Sequence, residues 1–395
     1  MADPRSEHVL HLQQQAGNAA VAEQVRQGRV PVARQTAART EAAADQTTDA
    51  AGDADDRPLD AAQVRAAIAY HNARPWDYPG AVIGQIQDQV GAPITGRVDA
   101  DTVQAIARWQ AQRPTIPGTE IAALTVDGIA GPRTLGIMFP FGLAEAEAAA
   151  TFSTAAGRTR EEWEELTPQQ RLDQLAEAVG DLLEARGVPL PTFVQADTNS
   201  RGSFDYTLWR INVNRSLLEV DAPSRADIES LAETVYHEAR HCEQFFEMAR
   251  MRAGEGETVR AIAQEMEIPA RIATEARQRP LDQDSVQAAL AGGWYEEYYG
   301  RGRDETHRIY DAAREAYRER EAARERFEDE PSEENSEALQ EAEQAYVDAR
   351  AEYRAISIEL DAHYVHYQLG LPPHVELLTD EATSGDETTT EQGAP

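Results

Sequence analysis

Apolar residues recur at helical spacing in several stretches of this chain and alternate strand-fashion in one. Thr167-Pro168 sets an N-cap residue before a proline at the first helical position. Leu172, Leu175, Val179, Leu182 and Leu183 then fall on one face, and Gly187 stops the run. Short extended pieces follow at Phe193-Val194 and across residues 209–213, where Trp209, Ile211 and Val213 alternate onto one side as a half-buried strand requires. A further helix starts near Ser224, with Asp227 completing a capping box. Residues 304–328 and 336–355 read as two long charged helices joined by Glu328-Asp329-Glu330-Pro331-Ser332. Ala313, Ala316 and Ala323 on one arm face Ala342, Ala345 and Ala349 on the other, which predicts a helical hairpin with a thin alanine seam. A less charged helix then runs to about Leu369. Near the start, a short helical pattern through Leu10, Val21 and Val25 is broken by Gly17-Asn18. The pattern as a whole predicts an α+β protein, mostly helical.

Composition divides the 395 residues further. Residues 36–57 are small, polar and acidic and read as a disordered linker, and residues 379–395 as a disordered tail rich in Thr, Glu and Gly. A leader at 1–35 and folded units at 58–140 and 158–378 complete the division. No apolar run reaches the roughly 18 residues of a membrane-spanning helix, so no membrane span is expected. The N-terminal stretch has no basic start followed by an apolar block, which argues against an ordinary secretory signal. The protein is expected to be cytoplasmic until it leaves by another route.

Charge narrows the partners. There are 70 acidic residues against 37 basic ones, every basic residue is Arg, and the formal net charge is −33. Such a surface repels phosphate backbones, so nucleic acid is not an expected partner. The bias fits a salt-rich host and a high-GC genome equally well. Cys242 is the single cysteine, so an internal disulfide and a Cys-based zinc cluster are both excluded. A metal site here must be built from His and carboxylates.

The chemistry gathers in His237-Glu238-Ala239-Arg240-His241. Two imidazoles one helical turn apart project from one face and can hold a zinc ion. Glu238, beside the first of them, can take a proton from a water whose pKa the metal lowers to about 7. This is the H-E-x-x-H arrangement of metallopeptidases. A catalytic zinc needs a third protein ligand and an open position. Position 247 is Glu, so the longer pattern with a further His six residues on is absent. The third ligand is therefore expected from a separate downstream helix, with Glu359 as first candidate and His363, one turn later, as its rival. Asp361 is a candidate for orienting an imidazole from behind. His363, His366, Tyr364 and Tyr367 on the same helix are candidate donors to the oxyanion, and Tyr295, Tyr298 and Tyr299 form a second aromatic group. Cys242 lies about 100° round the helix from His241 and is expected to be buried.

Three resemblances follow from these residues. Residues 158–378 resemble gluzincin-type metallopeptidases, and among them the zincin domains of proteins linked to bacterial contractile injection systems. The matching stretches are Gly202-Ser203-Phe204, residues 209–214, residues 234–244 around the His pentad, and Glu359-Leu360-Asp361-Ala362. That resemblance implies His237, His241 and Glu359 as zinc ligands and Glu238 as base. Residues 58–140 look like a small three-helix peptidoglycan-binding domain, on Asp127-Gly128-Ile129-Ala130-Gly131-Pro132-Arg133-Thr134 and, more loosely, on residues 95–103. There the Gly residues allow the turn and the Thr caps the helix behind it. Residues 12–21 (LQQQAGNAAV) resemble the leader of injection-system cargo and accessory proteins.

The expected function is hydrolysis of peptide bonds by a zinc metalloendopeptidase, as cargo, toxin or accessory protein of a contractile injection particle. Its partners would be a protein or peptide substrate, peptidoglycan and components of the particle. The alternatives are a peptidase for the cross-links of cell walls, or a non-catalytic structural or cargo protein with a zincin fold.

Overall fold

The computed structural model describes residues 58–74, 78–113, 124–198 and 200–369, with the backbone alone at 366–368. The leader at 1–35, the linker at 36–57, the tail at 379–395 and the side chains of His366 and Tyr367 lie outside the described residues. The described chain is mostly helical, with one three-stranded sheet. Among the described residues no helix is long and apolar enough to cross a membrane.

The described residues open with helices α1 (Ala61–Asn72), α2 (Gly80–Val90), α3 (Ala100–Ala111) and α4 (Pro132–Met138). Two turns in this part repeat one construction. The Gln87 amide donates to Thr95 Oγ1, the Arg97 carbonyl and Thr102 Oγ1, and accepts from the backbone N–H groups of Thr95 and Gly96. Gln110 does the same for Asp127, Ile129, Thr134 and the N–H groups of Asp127 and Gly128. Gly96 and Gly128 have φ of 67° and 72°, which an L side chain adopts only with strain. The helix caps differ from expectation. Asp99 caps α3, accepting from the Thr102 backbone and hydroxyl, and Gly131 occupies the N-cap of α4. Thr102 and Thr134 sit inside their helices, where their hydroxyls serve the buried glutamines.

After a turn at Gly142–Ala144 come α5 (Ala146–Glu161) and α6 (Pro168–Ala185), the latter opened by a Thr167/Gln170 capping box. Leu172, Leu175, Val179 and Leu183 are fully buried along one side of α6. The sheet follows as β1 (Thr192–Ala196), β2 (Gly202–Asp205) and β3 (Arg210–Asn214), in the order β1-β3-β2. β1 runs parallel to β3, and β2 antiparallel to it along the edge. The strand anticipated at Trp209 begins one residue later. Trp209 has φ of 54° and closes the β2–β3 turn, held by Asp205 accepting from the Leu208 N–H, while its indole donates to the Pro189 carbonyl at 2.7 Å. Ile211 and Val213 are buried, as the alternation requires.

A short helix α7 (Arg215–Leu218) leads to α8 (Arg225–Gly254), thirty residues opened by the Ser224/Asp227 capping box. It is the axis of the molecule: α5, α6, α10 (Ala270–Gln278), α11 (Val286–Tyr298), α14 (Ser357–Gln368) and β2 all pack on it, with α9 (Val259–Glu265) at one end. Gly202 marks the crossing of β2 over α8, where a Cβ would fall 2.6 Å from Thr234 Cγ2. Between α11 and α14 stands the expected hairpin, α12 (Arg303–Asp329) and α13 (Glu333–Arg354). Its seam is not the six alanines. Ala316, Ala323 and Tyr346 are buried, Ala313, Ala342 and Ala349 half-buried, and Ala345 exposed. The Tyr346 ring spaces the helices, with Tyr317 edge-on to it and the Arg320 guanidinium over its face.

One hydrophobic cluster takes in side chains from Tyr78 to Leu369, in which residues 142–144 pack on α8 while α4 packs on α11 and α14. A Cβ on Gly136 would lie 3.0 Å from Asp361 Oδ1, and Gly293 of α11 lies against Pro132.

Candidate metal centre

α8 and α14 meet at the candidate site. His237 and His241, one turn apart on α8, bring their Nε2 atoms to 3.0 Å of each other. Glu359 Oε2, from the first turn of α14, lies 3.5 Å from His241 Nε2 and 3.9 Å from His237 Nε2. A tetrahedral zinc with bonds of about 2.0–2.1 Å sets its ligand atoms about 3.3 Å apart, so these three edges fit one ion. Among the described residues these three form the group of metal-ligating side chains within reach of one ion, their ligand atoms all within 4.8 Å of each other.

The opposite edges of both imidazoles are spoken for. His237 Nδ1 lies 3.2 Å from the Ala362 carbonyl and His241 Nδ1 lies 2.8 Å from Gln244 Oε1. Each acceptor requires the proton on Nδ1 and leaves the Nε2 lone pair directed inward. Glu359 is buried and its Oε2 has no hydrogen-bond partner, an orphaned carboxylate oxygen aimed at the point where the imidazoles converge. Its Oε1 accepts from the Tyr310 hydroxyl at 2.7 Å. The donor set, its spacing and this orphaned oxygen fit a divalent cation such as zinc.

Charge within the trio points the same way. Burial disfavours the His241 imidazolium, yet the Glu359 carboxylate beside it outweighs burial and pushes it up to about 9. Burial likewise disfavours ionised Glu359, and His241 with the phenols of Tyr310 and Tyr353 holds its carboxyl below the ordinary value. The enclosure favours positive charge between them. Glu238, half-buried one residue after His237, is pushed up to about 7, by burial first and by Glu359 second, while His241 and the Phe204 backbone N–H oppose the shift.

Behind the trio lies a buried polar network. Gln244 donates to Asp361 Oδ2 at 2.7 Å and to the Ile358 carbonyl at 2.9 Å. Arg240, fully buried, donates to Asp361 Oδ2 at 2.7 Å, to Glu243 Oε2 and to the Phe141 carbonyl. Glu243 accepts from the Leu143 N–H, and the Tyr236 hydroxyl donates to the Leu143 carbonyl. Asp361 therefore reaches an imidazole through Gln244, not by touching one, because Arg240 and Gln244 occupy the oxygen that faces α8.

The remaining anticipated residues divide. His363 stands outside the trio, its ring 4.7 Å from that of His237 and half-exposed. Tyr364 is half-buried on the same helix. Tyr298 lies within an aromatic group with Tyr206, Phe245 and Tyr310, and Tyr295 stacks near Tyr299. Gln244, Arg240, Tyr310 and Tyr353 were not singled out in the sequence. The only local signal was for the first two, which share the face of α8 that carries the histidines.

No protein-family model matches this chain, and neither a curated protein nor a solved structure matches it.

Proposed function

We propose that this chain is a zinc metalloendopeptidase with a zincin-like catalytic unit, into which the α12–α13 hairpin is inserted. The observation that carries the reading is the convergence of His237 Nε2, His241 Nε2 and the orphaned Glu359 Oε2, with Glu238 alongside. Zinc on these ligands would supply a Lewis acid for the scissile carbonyl and acidify a water toward neutral pH. Glu238 then takes the proton of the attacking water and returns it to the leaving amine, a task suited to a carboxyl pushed up to about 7. His363, beside His237 and half-exposed, is the donor we assign to the developing oxyanion. The edge strand β2 flanks Glu238, whose carboxylate accepts from the Phe204 backbone, and offers an extended peptide a parallel line of approach.

The deciding experiment measures bound zinc and proteolysis together. The parent should carry about one zinc per chain, and Glu238→Gln should retain it while hydrolysis falls on the order of a thousandfold. A parent without zinc, or without activity on protein and muropeptide substrates alike, would leave only a structural or cargo role.

A cell-wall substrate is the second reading, favoured by the twin glutamine-centred turns at 87–102 and 110–134, which suit a peptidoglycan-binding-like repeat. Failure to sediment with purified peptidoglycan removes it. Delivery by a contractile injection particle rests on residues 12–21, which lie outside the described residues.

A further inference from the structure

The base of the hairpin lies on the third ligand. Tyr310 is in the second turn of α12 and Tyr353 in the last turn of α13, and their rings meet edge to face at 5.1 Å. Both phenols hydrogen-bond the Glu359 carboxylate. The Tyr310 hydroxyl donates to Oε1 at 2.7 Å, while Oε2 is left without a partner and faces the imidazoles. The start of α14 is fixed as well, because the Ser357 N–H donates to Glu297 Oε2 at 3.0 Å. The carboxylate is thus held at its backbone end by the helix start and at its far end by one phenol from each arm.

From this geometry we infer that Tyr310 and Tyr353 are positioning residues that restrict Glu359 to a single coordinating oxygen. The inference rests on the metal-centre reading above and deepens it. A carboxylate with both oxygens free can chelate one ion and occupy two of its coordination places. Tyr310 engages Oε1 and Tyr353 bonds the same carboxylate, so Glu359 offers Oε2, the oxygen that faces the imidazoles. Three protein atoms then hold the ion, and one place stays open for water and substrate. The hairpin, otherwise a long charged projection, thereby sets the coordination number of the site through its two root tyrosines.

The test uses the full chain with Tyr310→Phe, Tyr353→Phe and the double substitution, which keep the rings and remove only the hydroxyls. Tyr317→Phe, at the hairpin seam and away from Glu359, serves as control. Zinc affinity is read by chelator competition, and the coordination number from the visible absorption of the cobalt-loaded proteins, which weakens as a fifth ligand joins a tetrahedral ion. Each single substitution should weaken zinc binding by about tenfold, toward the low end for outer partners of metal ligands. The double variant should also show the weaker cobalt band as Oε1 is released. Affinity and spectrum equal to the parent's would overturn the inference while leaving the metal centre intact. Lower affinity with an unchanged spectrum would overturn it too, since the tyrosines would then only stiffen the site. A parent that takes up neither zinc nor cobalt would sink the metal centre and this inference together.

Discussion

Gln244 shows how much of the candidate site depends on single atoms. Its Oε1 holds the His241 tautomer, and its amide ties α8 to the Ile358 carbonyl and the Asp361 carboxylate of α14. Gln244→Leu keeps the volume and loses all three bonds, so zinc affinity is expected to fall by about 10- to 100-fold in a chelator titration. An unchanged affinity would mean that the imidazole needs no such anchor. Arg240 is a different case, a buried cation between Asp361 and Glu243. Arg240→Met strands two buried carboxylates, and urea unfolding should register a loss of about 3–5 kcal/mol. The pentad was legible in the sequence because one helical turn dictates its geometry, and Glu359 because it opens a helix poorer in charge than its neighbours. The network was not legible, since Gln244 and Asp361 are 117 positions apart and nothing in either segment announces the other. Tyr310 was hidden in the same way, one aromatic residue in a charged helix that meets Glu359 only across 49 positions.

The elements found by pattern were those with large apolar residues at regular intervals. α6 and α8 came with their capping boxes, and the hairpin arms with their charge. α5 was missed because its apolar residues are nearly all alanine, and β2 because it is four residues long and opens on a glycine. α11 was missed because it is buried nearly all round and so shows no polar face. Its Gly292-Gly293 pair reads as a helix stop yet allows Pro132 to approach, since a Cβ at Gly293 would fall 2.3 Å from the proline ring. The hairpin failed differently, because alanines gave the right partners and the wrong spacer. With Tyr346 as that spacer, Tyr346→Ala should cost about 3 kcal/mol. Hydrogen exchange should quicken across 303–354 while α6 and α8 keep their protection. Uniform acceleration over the whole chain would show that the arms do not open on their own.

At the scale of the molecule, one hydrophobic cluster takes in side chains from Tyr78 to Leu369 beside a smaller one at Leu59, Ala67, Val103 and Ala107, and backbone groups of Phe141 and Leu143 bond Arg240 and Glu243 beneath the candidate metal centre. A proton at His71 therefore concerns the whole chain. This imidazole is buried between Tyr70 and Tyr78, and burial lowers it from 6.5 to about 4, with Arg74 adding to the effect. Between those values the unfolded chain binds the proton and the folded chain does not. Its contribution is therefore complete above about pH 6.5 and is lost as pH falls toward 4, by about 3 kcal/mol for this group. His71→Phe should flatten the acid side of a stability–pH curve relative to the parent, and parallel curves would refute the assignment. The larger cluster gives Cys242 a use beyond packing. It is the only thiol in 395 residues, it sits at 0% exposure on the axial helix, and its burial pushes the thiol well up. A chromogenic disulfide mixed with the intact protein should therefore release colour only as fast as the interior opens. The rate of that release, measured against temperature or urea, becomes a clock for unfolding that needs no label.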